Sequence, residues 1–281
     1  MVSKMLAFDV TRVATALLFL FYASWSDYKS REVNDTTWIL MAPVGFALTL
    51  IEIYLVQPNQ LSYYGIPSQL VSYGICFALT VVFSFAIFYS GGFGGADAKA
   101  LMCLALVLPF YPSNLLNPLF EGTSPISQIV FPFTVFTNAV LISALSAIAL
   151  LFYNILWRLR TGEQLFATDY ENKNFGRKFL IMVTGYKVHI DKLKEQWHVY
   201  PLEDIQETSE NTLKRKLILL PKDEGRDAVV ERLERAIKNG TIQNGIWATP
   251  GLPFLIFVTL GLVLALFFGD IIWIFVRLIF I

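Results

Sequence analysis

The chain has 281 residues, of which 55% are hydrophobic and only 16% charged, with a mean hydropathy of +0.55. A soluble domain carries about a quarter charged residues, so this composition excludes an ordinary soluble globular protein. Twenty-two basic and 22 acidic residues cancel, leaving no basic surplus for nucleic acid, and the position of the charges becomes the informative quantity.

A membrane-spanning helix needs roughly 20 predominantly apolar residues, and six stretches come close. In chain order they run from Phe8 to Ser26, Thr37 to Val56, Gln69 to Ser90, Ala96 to Phe110, Ile129 to Trp157, and Leu252 to Phe268 with a continuation towards Ile281. The fourth is short and has a charge at its start. The first ends in Ala23-Ser24-Trp25-Ser26-Asp27, which mimics a signal peptide, but the later apolar runs favour a retained span. The expected fold is therefore an all-α polytopic membrane protein with six transmembrane helices and a small mixed α/β domain between spans five and six. The expected division is 1–157 for spans one to five, 158–247 for the soluble domain and 248–281 for the last span.

Within the polar segment, Lys178 to Val183 reads as a strand or a short buried helix. Asp223 to Lys238 reads as an amphipathic helix, with Ala228, Val229, Leu233, Ala236 and Ile237 at helical spacing and Asn239-Gly240 as a stop. The stretch Glu203 to Lys216 is polar and reads as a mobile loop.

Lysines and arginines set the orientation of membrane proteins. Lys29 and Arg31 follow span one, Lys99 follows span three, and sixteen more basic residues lie after span five. The connectors 57–68 and 111–128 contain none. These counts place the polar domain and the basic loops in the cytoplasm and both termini outside a cell membrane.

Two carboxylates stand out. Asp27 follows span one and Asp97 opens span four, so alternation of spans brings both to one membrane face, whichever way the protein is inserted. Ionisable groups at such positions are costly and mark function by default. Glycines precede the second, in Gly91-Gly92-Phe93-Gly94-Gly95-Ala96-Asp97, where they permit close backbone approach and positive φ. In the first turn of a helix Asp97 has its anion favoured by the dipole, whereas Asp27 at a helix C-terminus has it disfavoured. Such a pair suits an aspartic dyad, in which two neighbouring carboxyls share one proton. Each residue also has a plainer reading, as a solvated loop charge or a helix-terminal charge, and glycines between spans often make only a tight turn.

The residues Ser26-Asp27-Tyr28-Lys29-Ser30-Arg31-Glu32-Val33, followed by Trp38, resemble the first aspartate motif of type IV prepilin peptidases. Gly94-Gly95-Ala96-Asp97-Ala98-Lys99 is similar to their second motif, a G-x-G-D signature shared in looser form with presenilins and signal peptide peptidases. The likeness is strongest to archaeal preflagellin and prepilin peptidases, and Gly245-Ile246-Trp247-Ala248-Thr249-Pro250 also looks like that subgroup. The resemblance implies catalytic roles for Asp27 and Asp97, and backbone roles for Gly94 and Gly95. Ala96 departs from the usual glycine at its position. It further implies an aspartic endopeptidase without metal or cofactor that removes the short basic leader of preflagellin or type IV pilin-like precursors. Without a four-cysteine cluster, the methyltransferase activity of the bacterial relatives is not expected.

Glu32 and Asp35 are candidate partners for a basic leader. Asp9 and Arg12, one turn apart in span one, read as a local ion pair or interface anchors, and Asp270 as an outer-interface charge with no part in catalysis. Cys76 and Cys103 sit in apolar runs, and His189 and His198 have no diagnostic metal spacing. A transporter would also carry membrane carboxylates beside helix breaks, but no inverted repeat is visible. A noncatalytic scaffold gives no reason for paired aspartates beside a glycine run.

Overall fold

The computed structural model describes residues 2–56, 68–120, 124–166, 174–207, 213–218, 225–251 and 253–280. Two compact units emerge: Met1–Ser143 with Pro253–Ile281, and Ala144–Leu252.

The first unit is helical. It contains α1 (Val2–Ser30), α2 (Thr36–Val56), α3 (Ser68–Tyr89), α4 (Gly95–Val107), the short α5 (Pro125–Ile129) and the first part of α6 (Phe131–Thr161). Helices α1, α2, α3 and α6 are long and apolar enough to cross a bilayer. They expose large apolar residues such as Leu18, Ile39, Val82 and Phe152, as helices facing lipid do.

The expected fourth span is only 13 residues long in α4, about 20 Å at 1.5 Å per residue. Hydropathy alone cannot certify it because α4 is an interior helix: Ala98, Ala100, Leu101, Cys103, Leu104, Ala105 and Val107 are buried among its neighbours. The expected sixth span is a bent pair among the described residues. It consists of α10 (Phe254–Phe268) and α11 (Ile271–Phe280), which meet at 55° and follow α7 (Phe175–Thr184), α8 (Ile190–Glu195) and α9 (Arg226–Lys238) in the chain. Gly269 at the bend has φ +77°, a value glycine adopts freely. The described helices thus supply four spans, or five with the bent pair.

Small residues let these helices touch. A Cβ on Gly45 would lie 2.7 Å from Val107 Cγ2 and 2.8 Å from the Leu106 carbonyl carbon. One on Gly261 would lie 2.5 Å from the Val135 carbonyl oxygen. Small residues at helix interfaces are the usual means of close packing in lipid. Gly261→Val is expected to lower stability by about 1–3 kcal/mol, the usual cost of overpacking, read as an earlier thermal unfolding midpoint in detergent. An unchanged midpoint would contradict the close α10–α6 contact.

Arg12 does not form the expected local pair with Asp9. Its guanidinium is buried and bonds Glu52 Oε2 on α2 at 2.7 and 3.0 Å, Thr49 at 3.2 Å and Tyr73 on α3 at 3.3 Å. It also donates to the carbonyl of Val107, at the end of α4, at 2.7 Å. Asp9 instead accepts from the backbone and side chain of Asn114, both at 3.0 Å. Asp270, expected at an interface, is buried: it accepts from Ser124 Oγ at 3.0 Å and from the Trp273 amide at 3.1 Å. It caps α11, a placement its membership of an α10–α11 corner explains.

The second unit begins with the later part of α6 and continues through α7 (Phe175–Thr184), β1 (Tyr186–Val188), α8 (Ile190–Glu195), β2 (Val199–Pro201), β3 (Glu203–Glu207), β4 (Leu213–Leu217), α9 (Arg226–Lys238) and β5 (Ile246–Pro250). The segment expected to be strand or buried helix is the helix α7. The amphipathic helix expected before Asn239 is α9, which buries Val230, Leu233 and Ala236; residues 223 and 224 lie outside the described residues.

Antiparallel strands in the order β1-β5-β2 form one sheet, with Lys187 opposite Trp247 and Tyr200 opposite Thr249. In the stretch expected to be a mobile loop, 203–207 and 213–216 instead lie in the paired antiparallel strands β3 and β4, with Ile205 opposite Arg215, while residues 208–212 lie outside the described residues. The polarity of this stretch misleads because two of its charges are buried as a pair. Glu203 takes Arg215 through both oxygens at 3.0 and 3.1 Å and the Trp247 amide at 2.6 Å. A buried charge is tolerated only when paired and hydrogen-bonded in this way.

Candidate active site

Helix α1 extends one turn beyond the expected span, so Asp27 sits in its last turn. The helix stops at Arg31, whose φ of 58° is left-handed and whose amide closes on the Asp27 carbonyl at 3.0 Å. The hydroxyls of Ser26 and Ser30 both donate to the Glu32 carbonyl, at 2.8 and 3.0 Å, and pin the chain as it leaves.

The Asp27 carboxylate is half-buried and faces the backbone amide of Leu255, with the Arg31 guanidinium within electrostatic reach. Leu255 lies in the first turn of α10, behind Pro253 at its N-cap. A helix N-terminus presents free amides and a favourable dipole to an anion. The dipole argument from α1 alone is therefore incomplete, because α10 supplies the opposite influence. Contact between α1 and α10 is held by Ser24, which donates to the Leu255 carbonyl at 2.8 Å and meets Thr259 at 2.7 Å.

Asp97 occupies the first turn of α4, as expected, and is 8% exposed. Its Oδ2 accepts the Gly94 amide at 2.9 Å, one half of a capping box; glycine has no side chain for the reciprocal bond. A Cβ on Gly94 would stand 3.3 Å from that same oxygen, and one on Gly95 would stand 3.6 Å from the Phe88 ring. In the glycine run the positive φ falls at Gly91, at +74°. Ala96 has entered the helix by then, so its Cβ is accommodated and packs against the core. Phe93 anchors the run, its ring 4.8 Å from Phe254 and 5.4 Å from Phe136.

The two carboxylates, 70 positions apart in sequence, come within electrostatic reach of one another. Each meets the amino end of a helix, Asp97 its own and Asp27 that of α10. Lys99, one turn from Gly95, forms an ion pair with Asp35 at 2.6 Å, tying the loop after α1 to the helix that carries Asp97. Glu32 is exposed. Trp38 is 5% exposed and belongs to the core, so its place in the first motif is one of packing.

Sequence reasoning missed three members of this neighbourhood: the Leu255 amide, the half-buried side chain of Arg31 and the Phe93–Phe254 contact. Pro253 ahead of an apolar run signals the helix start that provides the amide, but nothing local says which carboxylate it meets. Arg31 Nε and Nη1 are buried without a hydrogen-bond partner among the described residues. No three His, Cys, Asp or Glu side chains converge as metal ligands among the described residues. His189 caps α8 and lines a cavity of about 890 Å³ in the second unit, together with Lys187, Arg215 and Asn244.

An apolar helical unit with several helices long enough to cross a bilayer defines a multi-pass membrane protein. Residues 14–155 match the type IV leader peptidase family, and residues 177–271 match the archaeal peptidase A24 C-terminus, type II. The chain is 26% identical to the preflagellin peptidase of Methanococcus maripaludis, over 90% of this chain and 93% of that one. It is 26% identical to the preflagellin peptidase of Methanococcus voltae, covering 92% and 94%. The preflagellin peptidase of Methanocaldococcus jannaschii is 27% identical, with coverage of 89% and 91%. The chain belongs to the type IV leader peptidase family, and is thus a protease of leader peptides.

Proposed function

We propose that the protein is an intramembrane aspartyl endopeptidase that removes the short basic leader of preflagellin or type IV pilin-like precursors at the cytoplasmic face of the cell membrane. The observation that supports this reading is the placement of Asp27 and Asp97 within electrostatic reach of one another, each near a helix N-terminus, in a member of the leader peptidase family. The catalytic pair is Asp27 and Asp97, and Gly94 and Gly95 keep the backbone close to Asp97.

In the proposed reaction the two carboxyls share one proton. The ionised partner takes a proton from water as the water oxygen attacks the scissile carbonyl. The protonated partner donates to the carbonyl oxygen, and on collapse a proton passes to the leaving amine. The pair titrates as a unit, so acid and base are roles of the dyad.

The proposed topology has six spans, with α4 as the fourth and the bent pair as the sixth. Both termini then lie outside, and the 158–247 domain lies in the cytoplasm with the basic loops. A precursor's apolar helix stays in the bilayer while its basic leader reaches the loop after α1, where Glu32 and Asp35 are available. Reversing both charges to lysine is expected to raise KM for a basic-leader precursor roughly two- to fivefold, the scale of exposed ion pairs. Glu32 should dominate, since Asp35 already has Lys99. A neutral-leader precursor should show little change; equal effects on both precursors would remove the leader-binding role.

The direct test mixes purified protein in detergent with basic-leader precursors and locates the cut by mass spectrometry. Cleavage at the junction between leader and apolar helix is expected. Intact precursors across several such substrates would overturn the reading.

A further inference from the structure

Helix α7 is apolar on the wrong side for a water-soluble domain. Phe175, Phe179 and Val183 recur every four residues, forming one stripe with Leu180 beside it. Phe175 is 81% exposed, and Phe179 and Leu180 nearly half exposed. The opposite side carries Ile181, fully buried in the unit's core with Leu165, Leu202, Leu217 and Trp247. Helix α9 of the same unit behaves in the ordinary way, turning Val230, Leu233 and Ala236 inward and Asp227, Glu231, Arg235 and Lys238 outward. Among the described residues nothing covers the outer stripe of α7.

The stripe adjoins a surface that is already lipid-facing. The last turns of α6 expose Phe152, Ile155, Leu156 and Leu159 and end in Arg158 and Arg160. Asn154 on α6 donates to the carbonyls of Met182 and Gly185, at 2.8 and 2.7 Å, and fixes the end of α7 against that helix. Between α6 and α7 lies a groove of about 420 Å³ with an apolar floor of Leu165, Phe166, Phe179 and Met182. Its polar rim includes Arg158 and Lys178, and no acidic residue lines it.

We infer that α7 is an in-plane membrane-surface helix, and that its groove against α6 seats the headgroup and upper chain of an anionic phospholipid. Helices of this kind bury an apolar face at the boundary of headgroups and acyl chains and use Lys and Arg to attract anionic lipid. The arginines at the end of α6 mark that boundary level on a spanning helix. The anchor ties the second unit to the bilayer surface, whatever the chemistry of Asp27 and Asp97.

The full-length protein in nanodiscs tests this. A fluorophore on Phe179→Cys is compared with one on Lys238→Cys, an exposed position on α9; Cys76 and Cys103 are buried. Brominated phosphatidylcholine should quench the label at 179, and aqueous iodide should quench it several-fold less than the label at 238. Iodide quenching equal at both positions overturns the inference and leaves the face to a protein partner. In a second arm, spin-labelled phosphatidylglycerol should be immobilised more than spin-labelled phosphatidylcholine, and the excess should vanish in Arg158→Gln/Lys178→Gln. No excess in the unmodified protein, or one that survives both substitutions, overturns the lipid site.

Discussion

Asp27→Asn and Asp97→Asn are each expected to lower cleavage at the leader junction by roughly 10²–10⁴-fold, the usual contribution of a positioned acid–base group, with the fold kept. Asparagine retains a side-chain oxygen where the carboxylate stood. The Gly94 amide therefore keeps an acceptor in Asp97→Asn, and the Leu255 amide still faces an oxygen in Asp27→Asn. Asparagine neither gives nor takes the proton that the reaction moves. The double variant should fall little below the worse single one, because groups acting as a unit are not additive. The measurement is the single-turnover rate on a basic-leader precursor, beside a thermal unfolding curve for each variant. Appreciable cleavage by either folded single variant would sink the two-aspartate mechanism.

The legibility of this molecule follows the solvent that each part meets. Helices α2 and α3 face lipid over much of their surface, so nearly every residue is apolar and the spans are plain in the sequence. Helix α4 is surrounded by protein; it needs neither the length nor the uniform hydropathy of a lipid-facing span, and its 13 residues leave a weak trace. Asp97 was readable because its environment is local: a glycine run, a helix start and a first-turn carboxylate are contiguous. The surroundings of Asp27 were half readable, since Leu255 arrives from more than 200 residues away. The pairing of β3 with β4 was hidden for a related reason. Glu203 and Arg215 look like surface charges in sequence, and only pairing across the strands makes their burial tolerable.

The same reasoning makes the cluster around Arg12 the place where the fold should break most severely. Arg12 and Glu52 lie 40 positions apart, and their ion pair is buried, with side chains 4% and 12% exposed. Tyr73 adds a hydrogen bond to Glu52 Oε2 at 3.0 Å, so α1, α2 and α3 meet at one carboxylate. Through Arg12 they also hold the Val107 carbonyl, among the groups that the end of a helix leaves unpaired. Removing one partner strands the other charge in a low-dielectric interior, at a typical cost of 3–5 kcal/mol. Arg12→Met and Glu52→Leu should each lower the unfolding midpoint in detergent sharply. The double variant has no stranded charge and should recover most of the loss, since an apolar replacement of a buried pair is often neutral. Tyr73→Phe, which removes one hydroxyl, should cost about 1 kcal/mol. Because α4 carries Asp97 at its other end, cleavage should fall with stability in the singles and return with it in the double. A double variant that loses as much as the two singles added together would show that Arg12 and Glu52 contribute independently, and the ion pair would then not be the link that joins these helices.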